Sequence, residues 1–138
     1  MTPEQAPNVR IFRLKDLPPV ERGRGIKSIT LAGPETGSSV LLQGQTIFPP
    51  GGAIALHTHS SDECIVILEG RAACELNDER HELEPFDTTF VEAGVPHRFI
   101  NIGDGELRIL WTYSAVDTTR TFVETGETAG HLDSYASR

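Results

Sequence analysis

The sequence predicts an all-β fold, a barrel built from short strands, and three observations carry that prediction. Thirteen glycines and nine prolines are spread between short apolar runs rather than clustered; this punctuation suits many short strands and leaves little room for long helices. The runs either alternate with period two, as at Leu107, Ile109, Trp111 and Tyr113, or stay apolar throughout, as from Cys64 to Leu68. At 138 residues the chain is long enough for one domain with a sizeable core and short for two. We therefore read residues 1–138 as one domain, with a core over 26–123, an N-terminal arm and a C-terminal tail.

Taken in order, Met1 to Asn8 is polar and expected to fray, and Val9 to Leu14 alternates loosely enough to pair at a sheet edge. Asp16 to Gly25 has two prolines and two glycines and reads as a connection with Arg22 and Arg24 exposed. Ile26 to Leu31 is a short strand, Gly33 to Ser39 a loop by composition. Val40 to Phe48 is a longer strand in which Gly44 marks a bulge or a close approach of backbone. Pro49 to Gly52 turns the chain into a strand carrying His57 and His59.

Cys64 to Leu68 reads as a strand buried on both faces, with Ala72 to Leu76 as its hairpin partner. Asn77 to Glu79 turns, Arg80 to Leu83 returns, and Pro85 breaks that strand. Thr88 to Val91 leads to a Gly94-Val95-Pro96 corner and a strand from His97. After the Asn101 to Gly105 turn come strands Leu107 to Ser114 and Thr118 to Val123. Glu124 to Arg138 reads as a tail or a short helix. No internal repeat or low-complexity segment occurs. Strands spaced in this way fit a jelly-roll barrel.

A net charge of −8 without any Lys/Arg cluster disfavours nucleic acid and anionic membranes as partners. Nowhere does an apolar stretch approach signal-peptide or membrane-span length, and a cytoplasmic location is the default expectation. Cys64 and Cys74 fall inside strands and are expected to stay reduced and pack as small hydrophobes.

The chemistry concentrates between Gly51 and Gly70. His57 and His59 are two apart, so on a strand both imidazoles leave one face. Glu63, opening the next strand, can bring its carboxylate beside them, and the strand from His97 can supply a fourth ligand. Neutral imidazoles with one carboxylate suit Fe, Mn, Ni, Cu or Zn, and we expect one divalent transition metal per chain. A lone buried histidine is usually a satisfied core residue; three with a glutamate at this spacing are not easily read that way. His81 and His131 lack such company and read as surface residues.

Gly51, His57, His59, Glu63 and Gly70 resemble, position for position, the first motif of the cupin family, a spacing met by chance in roughly one window in a million. Gly94, His97 and Asn101 fall on the glycine, histidine and asparagine of the second cupin motif. Phe86 and Glu92 replace its leading glycine and its proline, and Asp87 stands where an aspartate commonly follows. The resemblance implies a double-stranded β-helix (jelly-roll) barrel, a metal bound by His57, His59, Glu63 and His97, a small-molecule substrate, and a homodimer. Val9 to Leu14 and the tail from Glu124 are the candidates for the dimer contact.

Residues sharing the ligands' parity are expected to line the cavity: Ala53, Ala55, Ile65, Ile67 and Phe99, with Trp111 or Tyr113 added. Gln43 and Gln45 are the polar candidates for orienting a substrate, with a solvent-facing position the equal alternative for either, and Trp111 reads first as plain core. Open positions on a histidine-rich site suit oxygen activation, so the expected activity is a dioxygenase-type oxidation of a small chelating molecule. Glu63 is a ligand and, alternatively, a general base. A metal-dependent isomerase or lyase and a non-catalytic binding module are the alternatives.

Overall fold

A computed structural model describes residues 8 to 132, and the terminal stretches read above as a fraying arm and the end of a tail lie partly outside that range. Twelve strands form two six-stranded sheets: β1 (Val20–Gly23), β2 (Ile26–Ala32), β3 (Leu42–Phe48), β4 (His57–His59), β5 (Glu63–Glu69), β6 (Ala72–Leu76), β7 (Glu79–Leu83), β8 (Thr88–Val91), β9 (His97–Asn101), β10 (Leu107–Tyr113), β11 (Thr119–Phe122) and β12 (Thr128–Gly130). Among the described residues the only helical turns are two 3₁₀ turns, Leu14–Asp16 and Pro34–Thr36. One sheet runs β1-β2-β3-β10-β5-β8 and the other β12-β11-β4-β9-β6-β7. The all-β jelly-roll expectation is met.

Period-two alternation explains which side faces in. β3 buries Leu42, Gly44, Thr46 and Phe48, and β10 buries Leu107, Ile109, Trp111 and Tyr113. These side chains, with Ile26, Ile65, Ile67, Ala72, Cys74 and Phe99, form one core between the sheets. Gly44 is a close approach rather than a bulge: β3 stays in register with β10 there, and a Cβ would fall 2.5 Å from both the Ile29 carbonyl and the Trp111 ring.

Several expectations are corrected. β5 buries only alternate residues, so Cys64, Val66 and Leu68 are half-buried rather than enclosed on both faces. Its partners are β8 and β10, while β6 pairs with β7 and β9 in the opposite sheet, so Glu69-Gly70-Arg71 is an arch between sheets and no hairpin. Gly70 has φ 87°, and a Cβ there would lie 2.4 Å from the Glu106 carbonyl. Cys74 faces the core fully buried, and burial together with the Glu63 charge pushes its thiol up to about 12, an inert group.

The supposed connection at residues 16–25 contains β1, joined to β2 by a two-residue turn in which Arg24 (φ 57°) and Gly25 (φ 79°) are both left-handed. Arg22 is buried, not exposed, and Arg24 is exposed as expected. From Val9 to Leu14 only Val9 pairs, as a single β-bridge residue, and no strand forms, and the tail contributes β12 in place of a helix. The Asn77–Asp78 turn is as read, with both residues left-handed.

Two polar clusters tie the barrel together. The Arg22 guanidinium donates to Ser28 Oγ (2.8 Å), Ser28 and Thr46 share a hydroxyl hydrogen bond (2.8 Å), and Trp111 Nε1 donates to Thr46 Oγ1 (2.8 Å). Arg and Trp can only donate, so the two hydroxyls between them are the acceptors that make their burial tolerable. At the other end the Asn101 amide donates to the carbonyls of Phe48, Pro49 and Gly105 and accepts from Gly103 N–H. The asparagine of the second motif is thus a clasp at the end of β9.

Candidate metal centre

His57 and His59 project inward from β4, His97 from β9 directly opposite His57, and Glu63 from β5 in the facing sheet. All four are almost fully buried. The ring centroids of the three histidines lie 4.6 to 5.0 Å apart, and one donor nitrogen from each falls within 4.8 Å of the others. The Glu63 carboxylate is 3.2 Å from His59 Nε2 through one oxygen and 3.0 Å from His97 Nε2 through the other. The structure brings together the four residues singled out from the spacing.

What the rings can do is set by their outer nitrogens. His57 Nδ1 meets the Ala55 carbonyl at 2.7 Å, His59 Nδ1 the Thr119 carbonyl at 3.2 Å, and His97 Nδ1 the Val95 carbonyl at 2.9 Å. A carbonyl oxygen only accepts, so each Nδ1 carries a proton, and in the neutral ring each Nε2 turns its lone pair to the interior. His59 Nε2 also lies 3.2 Å from the Tyr113 hydroxyl. Backbone carbonyls behind three convergent imidazoles are the support that metal-ligating histidines require.

Electrostatics point the same way. Burial lowers the His57 pKa well below its ordinary value, and His97 and His59 add to that. Burial alone would raise the Glu63 carboxyl, but contacts with His59 and His97 outweigh it and hold the group ionised. His97 is raised: burial works against its charge, and Glu63 overcomes it. Among the described residues Glu63 Oε1 and His97 Nε2 have no well-directed hydrogen bond. A buried, ionised carboxylate beside three convergent imidazoles fits a divalent cation.

The cavity around these groups has a volume of about 20 Å³. Ile65, Phe99, Trp111 and Tyr113 line it, as read from parity; Ala53, Ala55 and Ile67 do not, and Ile54 does. Residues 54–56 are not in strand conformation, so the period-two rule does not reach back through them. Trp111 is both core and cavity wall. Gln45 points to the outer face, where its amide oxygen accepts from Arg108 (2.6 Å), and Gln43 donates to Thr112 there (3.0 Å). Neither can touch a ligand inside.

His81 is exposed, as expected. His131 is not: it is buried and stands 4.4 Å from the Trp111 ring, 4.5 Å from Tyr113 and 6.0 Å from His59, centroid to centroid. Its pKa lies well below the ordinary value because of burial, with Arg22, His59 and Arg120 adding to it. Phe48 and Ile109 line the cavity as well, as do Arg120, Thr46 and His131, which were not legible as site residues.

A family model described as "Cupin domain" matches residues 44–113. Among curated proteins, an uncharacterized protein of Methanocaldococcus jannaschii is 39% identical over 67 residues, 48% of this chain and 54% of its own length; this chain thus spans about half of that relative. The protein named polyketide synthase CurC of Streptomyces cyaneus is 30% identical over 129 residues, 92% of this chain and 79% of that protein. Among solved structures, the polyketide cyclase RemF of Streptomyces resistomycificus superposes with a TM-score of 0.71 at 17% identity, covering 89% of this chain and 85% of that one. With the family match running from Gly44 in β3 to Tyr113 at the end of β10, and both motifs placed on the strands that carry the histidine cluster, the chain belongs to the cupin family.

Proposed function

We propose that this chain is a metal-dependent cupin enzyme that binds one divalent transition metal through His57, His59, Glu63 and His97 and acts on a small organic molecule with a chelating oxygen pair. One observation carries the reading: three imidazoles, each with Nδ1 at a backbone carbonyl, bring donor nitrogens within 4.8 Å of one another, with the buried Glu63 carboxylate 3.2 Å from His59 Nε2 and 3.0 Å from His97 Nε2. When bound, the ion supplies Lewis acidity at a carbonyl or enol oxygen, or coordination positions for dioxygen. Glu63 and the three histidines hold it, Trp111 and Phe99 keep water away, and the Tyr113 hydroxyl offers a hydrogen bond beside it.

The resemblance to CurC over nearly the whole chain favours an enolic or phenolic substrate of polyketide type. On such a substrate a redox-neutral reaction, enolisation followed by ring closure, isomerisation or loss of water, is the first reading. Dioxygenation is the second, favoured by the histidine-rich donor set.

Elemental analysis of protein purified without a chelating tag, on wild type and His57→Ala, joined to oxygen uptake after iron loading, tests both. About one metal per chain, at least tenfold depleted in the variant, is expected. Equal metal content in the two proteins would overturn the metal centre. Oxygen uptake dependent on an enolic substrate would install the dioxygenase reading over the redox-neutral one.

A further inference from the structure

The cavity beside the four ligands, at about 20 Å³, has room for one water-sized body; an organic substrate has to be housed elsewhere. A second cavity of about 340 Å³ opens between β2, β3, the loop before β11, and β12, a size suited to a small molecule. His131 is the one residue common to the two linings.

Its position is built. The guanidiniums of Arg22 and Arg120 donate to its backbone carbonyl, at 2.5 and 2.9 Å. Its ring sits edge-on against Trp111 and Tyr113. Yet the residue is only 7% exposed, and neither ring nitrogen has a hydrogen-bond partner among the described residues. Leaving both unpaired is costly, and a ligand between the cavities would relieve it. On a wall of the larger cavity the Thr30 hydroxyl is also buried without a hydrogen-bond partner among the described residues. Leu42, Val116 and Leu132 make much of the remainder apolar.

We propose that the 340 Å³ cavity holds the apolar body of the substrate and that His131 hydrogen-bonds the polar end presented to the ligand cluster. The proposal rests on the metal-centre reading above and extends it to a substrate class: a compact, largely apolar molecule with chelating oxygens at one end and a hydrogen-bonding group at the other, within reach of Thr30. His131 thereby becomes the residue that selects for the polar end.

Alizarin, a planar dye that chelates through adjacent oxygens and changes colour when it does, is a suitable probe of zinc-loaded protein. Both His131→Phe, which keeps the aromatic packing, and Val116→Trp, which fills the cavity from its rim, are expected to retain zinc and to bind alizarin at least about tenfold more weakly. In ¹⁵N-histidine-labelled wild type, alizarin is expected to shift the His131 ring resonances, which a purely structural histidine would not show. Should His131→Phe fail to fold, Val116→Trp and the ring resonances decide. No alizarin binding by zinc-loaded wild type, or unchanged affinity in Val116→Trp with still His131 signals, overturns the proposal. Wild type that takes up no zinc defeats the metal-centre reading instead, and the His131 resonances of metal-free protein with alizarin then judge the cavity separately.

Discussion

At the scale of single residues, the Glu63 carboxylate favours a proton on His97 inside the ligand cluster. Glu63 is held ionised and His97 is raised by it, while burial keeps His57 neutral. Below the raised value of His97 a metal would have to displace its proton, so binding is expected to release protons in that range and to weaken as pH falls. Calorimetric titration with zinc in buffers of different ionisation heat measures this directly. Glu63→Gln, which removes the cause of the raised His97, should bind zinc more weakly and release less than half as many protons; an unchanged proton count would contradict the assignment. His57 and His59 were legible because a two-residue spacing on one strand puts both on one face, and Glu63 and His97 because they fall on the motif positions, each on a different strand. His131 was not, because no periodicity surrounds it and only the path of β12 brings it under Trp111. Gln45 was misplaced although a signal existed: Leu42, Gly44, Thr46 and Phe48 share the other parity, and Leu42 and Phe48 are its large apolar members.

At the scale of elements, the departure of the second motif at Phe86 has a visible cost. Phe86 takes φ 74° at the turn before β8, its amide donating to Ile67 O at 2.7 Å and its ring 78% exposed. The backbone kept the conformation a glycine would supply, and the side chain gains little in return. Phe86→Gly is therefore expected to stabilise the protein by about 0.5–1 kcal/mol, the relief of left-handed strain less the extra freedom of the unfolded chain. A rise in melting temperature of roughly 2–4 °C should report it, and a fall would show that the ring is held by something else. Strand existence was well read from β2 to β11, and so was the β6–β7 hairpin, but the pairing of β5 with β6 was not. Glu69-Gly70-Arg71 looks locally like a hairpin, and only the packing of Gly70 against Glu106 and Leu107 makes it an arch. β1 hid behind Pro18, Pro19 and two glycines, although Arg24-Gly25 is a signal for a tight turn.

At the scale of the whole molecule, the ligands are divided between the sheets: three histidines on β4 and β9 in one, Glu63 on β5 in the other. The contacts that join the sheets are otherwise mainly side-chain packing, with clasps such as Asn101 to the Phe48 carbonyl. An ion shared by that set would act as a rivet through the barrel, and its effect belongs to opening kinetics more than to shape. Without it, the sheets can part by sliding apolar surfaces; with it, no separation precedes ligand loss. Amide exchange should then divide the barrel in a characteristic way. In metal-free protein the two sheets are expected to exchange as separate cooperative units, and in loaded protein β4, β5 and β9 should slow together, at least tenfold, to a common rate. Retention of two distinct rates after loading would mean that the sheets are held by their packing alone.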